Sequence, residues 1–137
     1  MLDDAIKKTP PSMDAWLSEA KASPVARQAG MFLVHNGVVR ETPKAQVRQG
    51  LDDGTKVVGM VFDYDPGKVE AVIAETYKME GIVYVKVWLN QGQLEVGDDI
   101  MFVLIGGDIR PRVIDALQFL VGKIKNECVT EIEKKSE

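Results

Sequence analysis

Cysteine and histidine each occur once, as Cys128 and His35, and that scarcity removes whole classes of chemistry. A single cysteine cannot close an intramolecular disulfide, and one thiol with one imidazole cannot build a zinc site of the usual Cys/His type. A nucleophilic Cys–His pair is unsupported, because His35 reads as a mid-strand residue far from Cys128 in the chain. No apolar run approaches the ~20 residues of a membrane span. Glycine-rich phosphate loops are missing too: there is no Walker sequence and no GxGxxG, only Gly106-Gly107 ahead of a helix, which is a weak signal. The opening stretch MLDDAIKKTPP lacks the basic-then-apolar order of a secretion signal, so the expected compartment is the cytoplasm. Basic residues are outnumbered 17 to 21, for a net charge of −4. That balance argues against nucleic acid or an anionic membrane as the main partner. Neither a metal nor a cofactor is expected.

What remains is an ordinary globular composition, 45% hydrophobic and 28% charged over 137 residues, enough for one core and one domain. Residues 1–27 read as a loose arm and a short helix, and residues 28–137 as the domain proper. Ser12 is placed to cap that helix, with Met13, Trp16, Leu17 and Ala20 as its apolar stripe. Gly30–Arg40 (GMFLVHNGVVR) predicts a strand whose one face carries Phe32, Val34, Asn36, Val38 and Arg40, with Gly37 marking a bulge or close approach. Lys44–Asp65 predicts a hairpin turning at Asp53-Gly54, its second arm a central strand. Asp65-Pro66 starts a helix with Val69, Val72, Ile73 and Tyr77 inward. Ile82–Leu89 is the next strand, and its Tyr84/Trp88 face calls for cover by a second subunit or a neighbouring loop. A short segment Gln93–Glu95, a buried strand Ile100–Ile105 ended by Gly106-Gly107, a helix Pro111–Asn126 and an edge strand from Cys128 follow. Interleaved elements with a hairpin predict an α+β fold, its largely antiparallel or mixed sheet packed by two longer helices.

The basic residues carry most of the functional information. Arg110 and Arg112 flank Pro111 at a helix N-terminus, where cations oppose the macrodipole unless an anion binds or acids such as Asp108 and Asp115 pair with them. Lys125 closes the same helix. Arg40, at a strand end, is either a snorkelling edge residue or an inward anion ligand. The carboxylate pairs Asp3-Asp4, Asp52-Asp53 and Asp98-Asp99 fall in the arm or in turns and read as solubilising or turn-forming.

The order of these motifs resembles the large, catalytic subunit of molybdopterin synthase, the MoaE family. GMFLVHNGVVR is similar to that family's G-A-x-V-x-F-x-G-x-V-R strand, and FDYDPGKVEAVI to its L-E-Y-x-x-M-A-E-K-x-L helix start. QGQLEVGDDIMFVLI resembles the x-G-x-L-x-V-G-E-x-x-V-x-V strand pair, RPRVIDALQFLVGKIK the H-R-x-x-A-F-E-A-x-x-x-x-I-D-x-L-K helix, and IEKK the I-W-K-K-E ending. The likeness runs from about Gln28 to Lys135. It departs from the pattern where Ile109 replaces the histidine of H-R, Leu89-Asn90 an earlier H-R, Glu133 the tail tryptophan, and Glu41-Thr42-Pro43 a His/Asn-rich loop.

The resemblance implies a MoaE-like α/β hammerhead fold and sulfur transfer to cyclic pyranopterin monophosphate. Sulfur would come from the thiocarboxylated Gly-Gly tail of a small ubiquitin-like subunit, with large subunits pairing as a homodimer within a heterotetramer. The motif arginines fall on Arg40 and Arg110, with Arg112 beside them, as the substrate-phosphate clamp. The motif lysines fall on Lys125, which would assist the acyl-transfer steps, and on Lys134 if two tail residues are inserted, or on Ile132 if none are. The alternative is a non-catalytic homologue that keeps the fold and an anion or pterin pocket as a regulatory interaction module.

Overall fold

The computed structural model describes residues 5–50 and 52–136; residues 1–4 with Asp3 and Asp4, Leu51 and Glu137 lie outside it. Helix α1 (Met13–Ala22) starts where Ser12 Oγ accepts from the Ala15 amide at 3.2 Å. After one 3-10 turn at Pro24–Gln28 come strand β1 (Met31–Val38) and a short helix α2 (Lys44–Gln49). Strand β2 (Val57–Tyr64) leads to helix α3 (Pro66–Tyr77), whose first turn is capped by the Asp65 side chain. Strands β3 (Ile82–Leu89), β4 (Gly92–Glu95) and β5 (Asp99–Gly107) follow. Helix α4 (Arg110–Lys123) then opens into a wider π-type turn, Ile124–Cys128, and strand β6 (Val129–Lys135).

The strands form two three-stranded sheets, β1-β5-β3 and β4-β2-β6, and every pairing is antiparallel. This is the expected α+β domain, with the sheet split in two. The register of β1 slips between Gly37 and Val38, the bulge expected there. β5 is buried along nearly its whole length because strands flank it and helices cover it: Val103, Leu104 and Ile105 are fully enclosed. Gly106 and Gly107 continue β5 rather than break it. A Cβ on Gly107 would come within 2.7 Å of Val113, and one on Gly106 would strike the Phe32 ring, so both glycines serve close packing. Val113, Ala116 and Leu120 of α4, with Ile124 just after it, fill the main core with Val69 and Val72 of α3, and Leu117 packs partly buried against them. Tyr77 stays outside that core, and Thr76 is buried in its place, its hydroxyl donating to the Val72 carbonyl at 2.8 Å.

Three expectations need correction. The segment before β2 is not a hairpin arm: KAQVRQ holds five good helix formers and ends at Gly50 in the left-handed region (φ 70°), so it closes as α2. The Asp53-Gly54 turn exists, with Asp53 Oδ1 accepting from the Thr55 amide at 3.0 Å, but β2 pairs with β4 and β6 instead of folding back on what precedes it. The Tyr84/Trp88 face is covered by the chain's own α1, whose Trp16 and Ala20 build a second core with Phe102 and Leu104. The described part of the arm is pinned. Lys8 Nζ donates at 2.6 Å to both Tyr64 Oη and the Leu89 carbonyl and lies 4.7 Å from the centre of the Tyr64 ring, while Lys7 pairs with Asp98 at 2.9 Å. Among the described residues no helix is long and apolar enough to cross a membrane.

Candidate anion site

Where β1 ends, α2 begins and the turn after α4 meets β6, four cations collect around one concavity of about 90 Å³. Arg40, Lys44, Arg48 and Lys125 line it with Val38, Val47, Met60, Ile100, Glu131 and Glu133. Each arrives by a local rule. The bulge at Gly37/Val38 shifts the register so that Val39 is buried and Arg40 emerges at the rim, its Nε donating to the Thr42 carbonyl at 2.9 Å. Residues i and i+4 share a helix face, so the one short helix α2 brings both Lys44 and Arg48. Alternation along β6 turns Glu131 and Glu133 to the same side. Glu133 accepts from the Lys44 amide at 3.1 Å, completing the start of α2. Lys125 Nζ stands 3.8 Å from Glu131 Oε1. Four cations against two carboxylates leave the concavity positive on a chain that is negative overall, which suits a small anion with several oxygens.

Two of the sequence-derived candidates lie at the other end of α4. Arg110 is exposed and makes no ion pair among the described residues. Arg112 is held by Asp108 at 2.6 Å and by Glu80 at 3.2 Å, and Asp108 also accepts from the Ile109 amide at 2.7 Å. The anion at this helix N-terminus is therefore the protein's own Asp108. Fourteen residues of α4 separate this end from the Lys125 end by about 20 Å. Lys134 is turned to the opposite face of its sheet from Glu131 and Glu133, where its Nζ meets Gln93 Oε1 at 3.3 Å.

Two further observations bound the chemistry. His35, the one imidazole, has its pKa lowered first by burial and second by the charge of Lys125, which places it in that ammonium's field. Cys128 is buried, and that burial pushes its thiol pKa up, so it is a poor nucleophile. The open groove beside it, about 590 Å³, sets Asp63, Asp65 and Glu127 against Lys68 alone. Size favours that groove, but charge decides against it for an anion. Among the described residues no cluster could hold a metal ion. Sequence reasoning misses Lys44, Arg48 and Glu131 because the first two fall in the expected hairpin and the third in an edge strand with no motif of its own; the i, i+4 spacing of the pair is the available signal.

A family model described as MoaE protein matches residues 6–127. The chain belongs to the MoaE protein family. No curated protein sequence matches it, and its likeness to solved structures is one of fold. Molybdopterin synthase from Staphylococcus aureus superposes with a TM-score of 0.71 at 17% identity, covering 93% of this chain and 88% of that one. The molybdopterin biosynthesis MoaE protein from Burkholderia ambifaria gives 0.68 at 19% identity, over 95% and 82%. The complex of subunits 1 and 2 of molybdopterin-converting factor from Helicobacter pylori gives 0.62 at 18% identity, over 90% and 78%. The match from residue 6 takes in the pinned arm and α1, so this MoaE-family chain carries its second core within the family's own span.

Proposed function

We propose that this MoaE-family chain acts in molybdenum cofactor biosynthesis as the large subunit of molybdopterin synthase. It would move sulfur from the thiocarboxylate tail of a small ubiquitin-like subunit onto cyclic pyranopterin monophosphate, in the cytoplasm and without a metal or cofactor of its own. The observation that carries this reading is the gathering of Arg40, Lys44, Arg48 and Lys125 from three separate parts of the chain around one concavity. Guanidinium groups hold phosphate oxygens by paired hydrogen bonds. An ammonium beside the acyl centre stabilises the negative charge that its oxygen takes up while sulfur is transferred. Lys125 is the residue for that second role, and Arg40 leads the first.

The single chain encloses about 90 Å³, far less than the roughly 300–1,000 Å³ of a pocket for a whole small molecule. That volume suits the phosphate end, and the pterin would be enclosed by the small subunit or by a second large subunit in a homodimer. Arg110, remote from Lys125 in its own chain, meets the substrate only if the second copy presents it. Arg112 is the weaker phosphate ligand because Asp108 and Glu80 already hold it, and Lys134 would have to leave Gln93 and its face of the sheet to take part.

The test is a binding titration with cyclic pyranopterin monophosphate. Saturable binding that weakens about tenfold or more in Arg40→Ala supports the reading; absence of binding by the wild type overturns it. Arg110→Ala, titrated alongside, decides whether a second copy completes the clamp. A non-catalytic reading has its own support: beside Lys125, Glu133 stands where the resemblance expects the tail tryptophan, and Ile109 stands where it expects histidine. Pterin binding with no sulfur transfer from a thiocarboxylated small subunit would favour it.

A further inference from the structure

Within the cationic concavity the two carboxylates differ in one respect. Glu133 has a donor, the Lys44 amide. Glu131 has none: its Oε1 is buried, and among the described residues it is the buried side-chain atom left without a hydrogen-bond partner. Glu131 lies opposite Phe62, a fully buried residue of β2, on the strand face that alternation turns inward. The nearest cation is Lys125 Nζ at 3.8 Å, beyond hydrogen-bonding distance, on a side chain 38% exposed against 15% for Glu131. One partner is largely enclosed and under-satisfied; the other is more exposed and close by. A buried acceptor is costly to leave unmade, and a lysine has the free rotors to reach it.

We propose that Glu131 is the internal counter-ion of this pocket, a positioning residue that draws the Lys125 ammonium inward when no anion is bound and yields it to an arriving anion. The proposal rests on the reading of the concavity as an anion site. It makes the carboxylate a competitor of the ligand for one cation: resting affinity is held down, and Lys125 is kept aimed at the place where negative charge must arrive. A residue that only supported β6 would have no such effect on anion affinity.

The probe is inorganic phosphate, titrated into the full-length wild type, Glu131→Gln, Glu131→Asp and Arg40→Ala. Glu131→Gln keeps the shape and removes the competing charge, so phosphate should bind about five- to tenfold tighter at low salt. Glu131→Asp, which restores the charge, should return toward the wild-type affinity. A second readout needs no variant at position 131. The Lys125 ε-ammonium nitrogen resonance, assigned by its loss in Lys125→Arg, should shift in the wild type as phosphate saturates. Weaker binding in Arg40→Ala with unchanged affinity in Glu131→Gln, or a Lys125 resonance that phosphate does not move, overturns the counter-ion role while the anion site stands. Phosphate binding that Arg40→Ala leaves untouched removes the anion site itself, and the counter-ion with it.

Discussion

The two ends of α4 carry the same kinds of charge and put them to different use. At its N-terminus Arg112 is met at 2.6 Å by Asp108 and at 3.2 Å by Glu80, so that region neutralises itself with residues from its own turn and from the loop after α3. At the C-terminal end Lys125 meets Arg40, Lys44 and Arg48 around a hollow, and Glu131 stands 3.8 Å off with an oxygen unsatisfied among the described residues. Cations that oppose a helix dipole are answered locally, whereas cations drawn from distant parts of the chain are left for a ligand to answer. A count of basic residues cannot separate these cases; their partners do.

The largest effect should come from the core that holds the helix joining the two ends. Leu120 is fully buried in the last turn of α4, in the main core, and Leu120→Ala should cost about 2–5 kcal/mol in urea unfolding. Loss near the lower bound would mean that the surrounding helices relax into the space. The next effect separates the ends by function. Lys125→Ala should lower sulfur transfer about a hundredfold or more while stability stays within about 0.5 kcal/mol. Arg112→Ala should leave single-chain phosphate binding within about twofold, since its charge is already spoken for. A fully active Lys125→Ala protein would remove the catalytic assignment, and an Arg112→Ala protein that no longer binds phosphate would erase the contrast between the ends.

Much of the scaffold was legible because it rests on local chemistry. Ser12 and Asp65-Pro66 announce their helices, Gly37 its bulge, and the tail an edge strand, which the structure pairs with β2. The misreadings arose where a local signal met a non-local competitor. Asp53-Gly54 does turn the chain, yet helix propensity in KAQVRQ and the carboxylate of Glu133, 89 residues further on, settle that region as α2. Lys8 looked like part of a polar arm because Tyr64 and the Leu89 carbonyl, its two ligands, lie 56 and 81 residues away. At the site, Arg40 and Lys125 stand out through motif resemblance; the i, i+4 spacing pairs Lys44 with Arg48, but that α2 and β6 bring this pair and Glu131 to Lys125 depends on non-local packing.

A smaller effect tests the N-terminal end by stability alone. Asp108, Glu80 and Arg112 are all partly or largely exposed, so solvent screens their pairing. Arg112→Ala should cost only about 0.2–1 kcal/mol in urea, less as salt is raised. A loss several times larger, insensitive to salt, would show that this corner is a packing element and not a self-neutralised one.

The smallest effect reads the Lys125 end through its one imidazole. The pKa of His35 lies below the ordinary 6.5, first because burial disfavours the imidazolium and second because the Lys125 charge opposes it. The unfolded chain therefore takes up this proton at a higher pH than the folded one. The cost to stability is absent above the unfolded value, grows as the pH falls through 6.5 toward the folded value, and is complete below it. His35→Phe, the residue type the family motif carries at this position, should remove that contribution. Its stability relative to the wild type should improve between about pH 7.5 and pH 5. Lys125→Ala removes the second cause and leaves the first, so in that variant the His35 midpoint, followed by NMR, should rise part of the way back and stop short of the ordinary value. A midpoint unmoved by Lys125→Ala would mean that the ammonium spends its time away from β1, over the hollow or in solvent. A midpoint fully restored would mean that charge, and not burial, is what this histidine feels.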